Sequence, residues 1–167
     1  MITLITLIIL TNFLRYLMRR PVKQFTKKKC TNILITGGVQ GLGKNLAAEF
    51  AKRHKAGTIN LIIIDIAVNL APDMIAELEK LMRVRDASKG KYVNFYKCNI
   101  ADKEEVESVW AKIVKKHGPV HILVNNAARA TGKRLDHMSI EQFKLTMDIN
   151  FNSYVHFTML FNKQKEI

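Results

Sequence analysis

The sequence is poor in cysteine, since its 167 residues include only Cys30 and Cys98. Two cysteines cannot build a disulfide framework, and no C-x-x-C pair is present. The simplest interpretation is two free thiols in a reducing compartment. Zinc-finger spacing is absent as well, so we predict no metal site.

Acidic residues are absent before Glu49, although the chain as a whole carries a net charge of +13. Seven of the 27 lysine and arginine residues lie between Arg15 and Lys29. Most of the charge imbalance therefore belongs to one N-terminal segment. Aromatic residues are not interleaved with basic ones in the manner of a nucleic-acid interface, so we predict no nucleic-acid partner.

Charge of either sign is absent from residues 1–14, MITLITLIILTNFL. As a helix, residues 1–18 would be about 27 Å long, just enough to span a thin membrane. A cleaved signal peptide would carry positive charge before the apolar run and small residues after it, and this segment has neither. We therefore predict an uncleaved membrane anchor that spans the bilayer or lies in one leaflet. A buried core helix is the alternative.

The sequence thus divides into a membrane anchor (1–20), a basic linker (21–30) and a folded domain (31–167). The basic flank resists translocation, which places the domain in the cytosol. We predict attachment through residues 1–18 to the endoplasmic reticulum or a lipid droplet.

From Thr31 onward, short apolar runs alternate with helical patterns. Apolar runs of this length are typical of buried parallel strands, and the segments between them are long enough for crossover helices. The pattern predicts an α/β fold with a doubly wound parallel sheet of about four strands. The predicted strands are 32–36, 59–64, 93–97 and 120–124, and the predicted helices include 42–54, one capped by Asp102 and one running from Ser139 to about Phe161.

A glycine-rich turn, TGGVQGLG (36–43), joins the first strand to the first helix. Backbone N–H groups at a helix N-terminus favour a phosphate, and glycines let the chain approach it closely. Asp65 ends the second strand, where a carboxylate can accept hydrogen bonds from a ribose and repel a 2′-phosphate. The pattern predicts a dinucleotide site that prefers NAD over NADP. A plain strand-end turn acid is the alternative for Asp65.

The spacing T-G-x-x-x-G-x-G resembles the cofactor loop of the short-chain dehydrogenase/reductase family, whose fold is Rossmann-like. Three later segments, KCNIAD (97–102), ILVNNAA (122–128) and MDINFNSYVHF (147–157), resemble further family motifs in the same order. Asn99 stands where the family usually has Asp, and Ala128 replaces a glycine. The resemblance implies a catalytic-site role for Asn150. It implies cofactor binding by Thr36, Gly37, Gly41, Leu42, Gly43, Asp65, Asn99, Ile100, Asn126 and Ala127.

The family's chemistry is reversible hydride transfer between a nicotinamide and an alcohol or carbonyl. The resemblance implies a catalytic Ser and a Tyr-x-x-x-Lys motif, but no tyrosine here is followed by lysine four residues on. We therefore expect a cofactor-binding fragment, incomplete at its C-terminus and without turnover. The fourth strand should then have an open edge, and the last helix should leave Phe143, Met147, Tyr154 and Phe157 partly uncovered.

Two functional hypotheses follow. In the first, the chain derives from a membrane-anchored oxidoreductase, similar to retinol and hydroxysteroid dehydrogenases, that acts on a lipophilic alcohol or ketone. In the second, it is a non-catalytic, membrane-tethered module that binds a dinucleotide or a protein. Uncovered apolar surface favours self-association, so a homo-oligomer is compatible with both.

Overall fold

The structure is a computed structural model that describes residues 30–54, 57–82, 92–132 and 134–164. The predicted anchor and nearly all of the basic linker lie outside these ranges. Within them, no helix combines the length and apolar character needed to cross a membrane.

Four parallel strands form one sheet in the order β3-β2-β1-β4. The chain reverses its direction of winding after β3, so the order confirms the predicted doubly wound sheet. Thr36 pairs with Ile64, and Asp65 pairs with Lys97, so the carboxyl ends of these strands lie at one edge. The strands are β1 (Thr31–Thr36), β2 (Ile59–Asp65), β3 (Val93–Lys97) and β4 (Ile122–Val124).

Helices cover both faces of the sheet. Successive strand residues point to opposite faces, so Ile33 and Ile35 face one layer while Leu34 faces the other. The first layer contains α1 (Gly41–Arg53) and α2 (Ala71–Leu81), which follows a 3₁₀ turn at Val68–Leu70. The second contains α3 (Lys103–His117) and α5 (Ser153–Lys163), with Asp102 capping α3 as predicted.

β4 is shorter than the predicted strand 120–124 because other groups satisfy the backbone at its start. The Val120 N–H donates to Gln164 Oε1 at 3.0 Å, and Gln164 Nε2 donates to the Val120 carbonyl at 2.7 Å. These two hydrogen bonds join the end of α5 to the segment that precedes β4. A side chain 44 residues away thus replaces two ladder bonds.

The predicted helix from Ser139 contains an interruption. Ser139 and Gln142 form the predicted reciprocal capping box, and α4 (Ile140–Met147) follows. Residues Asp148–Asn152 then adopt a π-helical turn before α5 begins. Apolar spacing did not reveal this turn, because a π-turn changes which backbone groups pair without changing residue type.

The open edge of β4 is as expected, since no described strand pairs with its outer side. Phe143 and Met147 are exposed by 41% and 39%, and Tyr154 is half-buried. The expectation for Phe157 was wrong. It is buried and packs against Trp110, with ring centroids 6.2 Å apart.

Three buried asparagines connect neighbouring strands near the amino ends of the sheet. Asn94 Nδ2 donates to Asn60 Oδ1 at 2.8 Å, and Asn60 Nδ2 donates to Asn32 Oδ1 at 3.0 Å. Asn32 Nδ2 then donates to the carbonyls of His117 and Pro119. The ladder satisfies amides that would otherwise be costly to bury, and it ties β1 to the end of α3.

We predict that Asn60→Ala lowers the free energy of unfolding by about 2–4 kcal/mol, because it removes a donor and an acceptor from two buried partners. Urea denaturation measures the change. Asn162→Ala, at an exposed position on α5, is the control and should shift stability by less than about 0.5 kcal/mol. Equal effects of the two substitutions would contradict the proposed importance of the ladder.

Candidate functional site

A cavity of about 610 Å³ opens at the carboxyl edge of the sheet. Its walls come from the segments that follow all four strands and from the start of the π-turn. This is where ligands bind in open α/β sheets, because chain reversal there leaves a crevice between neighbouring loops. The lining residues are Gly37, Gln40, Leu42, Ile64, Asp65, Ile66, Cys98, Asn99, Ile100, Asn126, Ala127, Ala128, Arg129 and Ile149.

Seven of the predicted cofactor-binding residues line this cavity, and three do not. Thr36, Gly41 and Gly43 shape the glycine turn without contributing to the wall. The seven lining residues are Gly37, Leu42, Asp65, Asn99, Ile100, Asn126 and Ala127.

The glycine turn depends on close packing as well as on backbone freedom. Gly37 has φ +67°, and a Cβ there would lie 2.6 Å from the Ala127 Cα. A Cβ at Gly43 would overlap the Gly37 carbonyl and lie 2.5 Å from Asn126 Nδ2. Gly41 differs, because its φ is +58° but no described atom lies within 4 Å of the Cβ position. Gly41 therefore leaves open space at the start of α1.

Thr36 and Asn126 join the ends of β1 and β4. The Thr36 hydroxyl oxygen accepts hydrogen bonds from the N–H groups of Asn126 and Ala127, at 3.0 and 3.1 Å. In return, Asn126 Nδ2 donates to the carbonyls of Thr36 and Gly37, both at 2.9 Å. Thr36 is fully buried, so its part in the site is to position the glycine turn and not to touch a ligand.

Asp65 is both a turn residue and a cavity residue. Its Oδ1 accepts from the Ala67 N–H at 3.0 Å, which forms the strand-end turn considered as the alternative. Its Oδ2 accepts from the Val39 N–H of the glycine turn at 3.2 Å. The carboxylate thus links the ends of β1 and β2, and each oxygen keeps a further lone pair for a ligand.

The segment after β3 forms the opposite wall. Asn99 is exposed, and its Oδ1 accepts from the Ala101 N–H at 3.2 Å, so the side chain stabilises the turn into α3. Cys98 beside it is buried. Burial, with smaller contributions from the charges of Glu105 and Asp102, raises the pKa of the Cys98 thiol to about 12. The thiol therefore stays protonated at neutral pH and is a poor nucleophile.

Asn150 lies in the π-turn and holds the loop after β4. Its Oδ1 accepts from the Arg129 N–H at 2.8 Å, and its Nδ2 donates to the Arg129 carbonyl at 2.9 Å. The side-chain oxygen and nitrogen of Asn150 are thus both bonded to the backbone of Arg129. Asn150 itself does not line the cavity, whereas its neighbour Ile149 does. The structure therefore gives the predicted catalytic residue a positioning contact.

Motif matching missed half of the cavity wall. None of the following lining residues was predicted to bind the cofactor: Gln40, Ile64, Ile66, Cys98, Ala128, Arg129 and Ile149. All of them lie within or next to a matched motif or a predicted strand end, so adjacency was the available signal. Ala128, which replaces a family glycine, is exposed, so its methyl group is accommodated.

The sequence profile of the short chain dehydrogenase family matches residues 31–165. The chain belongs to this family. It is 33% identical over 123 residues to human epidermal retinol dehydrogenase 2, covering 74% of this chain and 36% of that protein. It is 30% identical over 122 residues to an uncharacterized oxidoreductase of Saccharomyces cerevisiae, covering 73% and 34%. The chain thus spans about a third of the length of these relatives.

Solved structures give the same fold. An alcohol dehydrogenase of the archaeon Thermococcus sibiricus, complexed with 5-hydroxy-NADP, matches with a TM-score of 0.69 and 22% identity. The match covers 81% of this chain and 53% of that one. L-sorbose reductase of Gluconobacter frateurii, complexed with NADPH and L-sorbose, matches with a TM-score of 0.68 and 20% identity, covering 81% and 48%. The Rossmann-like fold expected from the sequence is confirmed.

Proposed function

We propose that this chain supplies the dinucleotide-binding part of an NAD(P)-dependent oxidoreductase. The observation that carries the proposal is the cavity at the carboxyl edge of the sheet, next to a glycine turn held in a positive-φ conformation. Family membership supports an oxidoreductase over a non-catalytic tethering module. When bound, a nicotinamide cofactor would supply or accept the hydride.

The start of α1 fits a bound phosphate. Gln40 forms no side-chain cap with a described group, and the first turn contains no acid that would compete with an anion. The N-terminal N–H groups therefore keep their capacity to donate, and the helix dipole favours negative charge there. The open space at Gly41 leaves room for a phosphate to approach the backbone.

The proposed substrate is a lipophilic alcohol or ketone. Support comes from the sequence resemblance and from the retinol dehydrogenases of human and Xenopus laevis among the relatives. This chain contains no Tyr-x-x-x-Lys, so cofactor binding and not turnover is the property to measure.

We predict that Gly41→Asp weakens NADH binding by about tenfold or more. A carboxylate at the start of α1 would repel the cofactor phosphates, and a charge interaction of about 1.4 kcal/mol corresponds to tenfold. NADH fluorescence titration of the purified chain measures the dissociation constant.

Gly118→Asp is the matched control for this change. Gly118 also has a positive φ, +80°, and no described atom within 4 Å of its Cβ position, but it ends α3 away from the cavity. Both substitutions put a side chain at a positive-φ position, and only Gly41→Asp places charge at the site. Equal NADH affinity in both variants, or no NADH binding by the unmodified chain, would overturn the proposal.

Asp65 is the proposed source of a preference for NAD over NADP. We predict that Asp65→Asn lowers the ratio of the NADP dissociation constant to the NAD dissociation constant by about tenfold. The substitution removes a charge that would repel a 2′-phosphate. Asparagine keeps one oxygen to accept a backbone N–H. Asp136→Asn, at an exposed acid paired with Arg134, is the control. Comparable affinity of the unmodified chain for NAD and NADP would contradict the assignment.

We further propose that residues 1–18 attach the chain to the endoplasmic reticulum or a lipid droplet, with the domain in the cytosol. The uncharged run and its basic flank support this proposal. Protease added outside sealed microsomes should digest residues 31–167, and carbonate washing should leave intact chain in the membrane fraction. Protection of the domain would contradict the orientation, and release by high salt would contradict insertion.

A further inference from the structure

Arg129 lines the cavity and forms no ion pair with any described residue. Among the described arginines, Arg53 pairs with Glu49 at 3.4 Å and Arg134 pairs with Asp136 at 3.2 Å. The Arg129 side chain makes no hydrogen bond or ion pair with any described residue, although Arg129 is half-buried and lines the cavity wall. A partly desolvated cation without a counter-charge favours an anionic ligand.

The backbone of Arg129 is fixed, so the base of its side chain has a defined place. Asn150 binds both the N–H and the carbonyl of Arg129. These bonds use backbone atoms alone, so replacing the Arg129 side chain leaves them in place. A substitution at position 129 can therefore test the guanidinium separately from the fold.

The other charged group in the described wall is Asp65, and it does not neutralise Arg129. Its two oxygens accept from the N–H groups of Val39 and Ala67. Asp65 ends β2 and Arg129 follows β4, with β1 between these strands, so the cavity has an acidic side and a basic side. An anion is disfavoured near Asp65 and favoured near Arg129.

The glycine turn lies between the two sides, since its Val39 N–H donates to Asp65 and its Gly37 packs against Ala127. The Ala127 Cα would be 2.6 Å from a Cβ at Gly37, and Arg129 follows two residues later, at most about 7 Å along the chain. Gly37 and Arg129 both line the cavity, so the glycine turn and Arg129 form neighbouring parts of its wall. Arginine can bind two phosphate oxygens at once through its planar fork.

We propose that the Arg129 guanidinium binds the pyrophosphate of the dinucleotide. The proposal rests on the proposed cofactor binding and adds a side-chain contact to the backbone donors of the glycine turn. Since NAD and NADP share the pyrophosphate, Arg129 contributes to the affinity for both and not to the choice between them. Asp65 remains the residue proposed to set the preference for NAD over NADP.

The test compares unmodified chain, Arg129→Met and Arg129→Lys in titrations with NADH and NADPH, and in competition by inorganic pyrophosphate. Arg129→Met should weaken both cofactors by about tenfold to hundredfold, the loss expected for a charge-assisted hydrogen bond. Pyrophosphate should displace NADH from the unmodified chain and require a correspondingly higher concentration with Arg129→Met. Arg129→Lys keeps the charge without the planar fork, so its affinity for each cofactor should lie between those of the unmodified chain and Arg129→Met.

Arg53→Met is the control, because Arg53 is an exposed arginine at the end of α1 and should leave cofactor affinity unchanged. Thermal unfolding should give the same midpoint for Arg129→Met as for the unmodified chain. The role of Arg129 would be overturned, while cofactor binding stands, if Arg129→Met left cofactor affinity unchanged or weakened NADPH binding alone. Unchanged competition by pyrophosphate, or a loss of affinity accompanied by unfolding, would overturn it as well. Absence of cofactor and pyrophosphate binding by the unmodified chain would overturn both proposals.

Discussion

The site depends on the reciprocal hydrogen bonds between Thr36 and Asn126. β4 pairs with β1 over only three residues, Ile122 to Val124, so the strand ladder alone gives its end little support. Four hydrogen bonds between Thr36, Gly37 and the Asn126–Ala127 segment continue the attachment beyond the last strand pair. Thr36 is fully buried, which limits the competition from water for the three of these bonds that Thr36 accepts.

This attachment explains why glycines are needed where they occur. Asn126 is drawn against the glycine turn, which leaves no space for a Cβ at Gly37 or Gly43. The turn is thereby packed at Gly37 and Gly43, whereas the Cβ position at Gly41 faces open space. The polar side chains of Asn126, Asp65 and Asn150 are all used to fix backbone segments. The groups that remain for a ligand include backbone N–H groups, spare carboxylate lone pairs and the side chains of Gln40 and Arg129.

The sequence was sufficient to predict the strands and the cofactor turn for clear physical reasons. Parallel strands that are covered on both faces are mostly apolar, so the apolar run within Ile59–Asp65 predicts a strand. Positive-φ turns and close backbone approaches favour glycine, so the spacing of the glycines predicts the turn. Interactions that many residue types can make were not predictable. The pairing of Gln164 with Val120, and of Asn150 with Arg129, joins residues distant in sequence through ordinary amides.

The same limit explains the incorrect expectation for Phe157. In a continuous α-helix, each residue turns about 100°, so Phe143 and Phe157 would lie on one face. The π-turn at Asp148–Asn152 accommodates extra residues per turn, which rotates α5 relative to α4. The side chain of Phe157 is therefore buried in the core. A row at intervals of four residues stays exposed across the interruption, at Phe143, Met147, Phe151, Val155 and Met159.

One local change in backbone pairing thus has two consequences. It places Asn150 where its amide can hold the loop after β4, and it decides which apolar side chains of the last helix enter the core. A helix without the π-turn would have the same apolar composition but a different buried face beyond residue 152. The geometry of the cavity and the packing of the second helical layer are therefore coupled through five residues whose types alone do not predict their conformation.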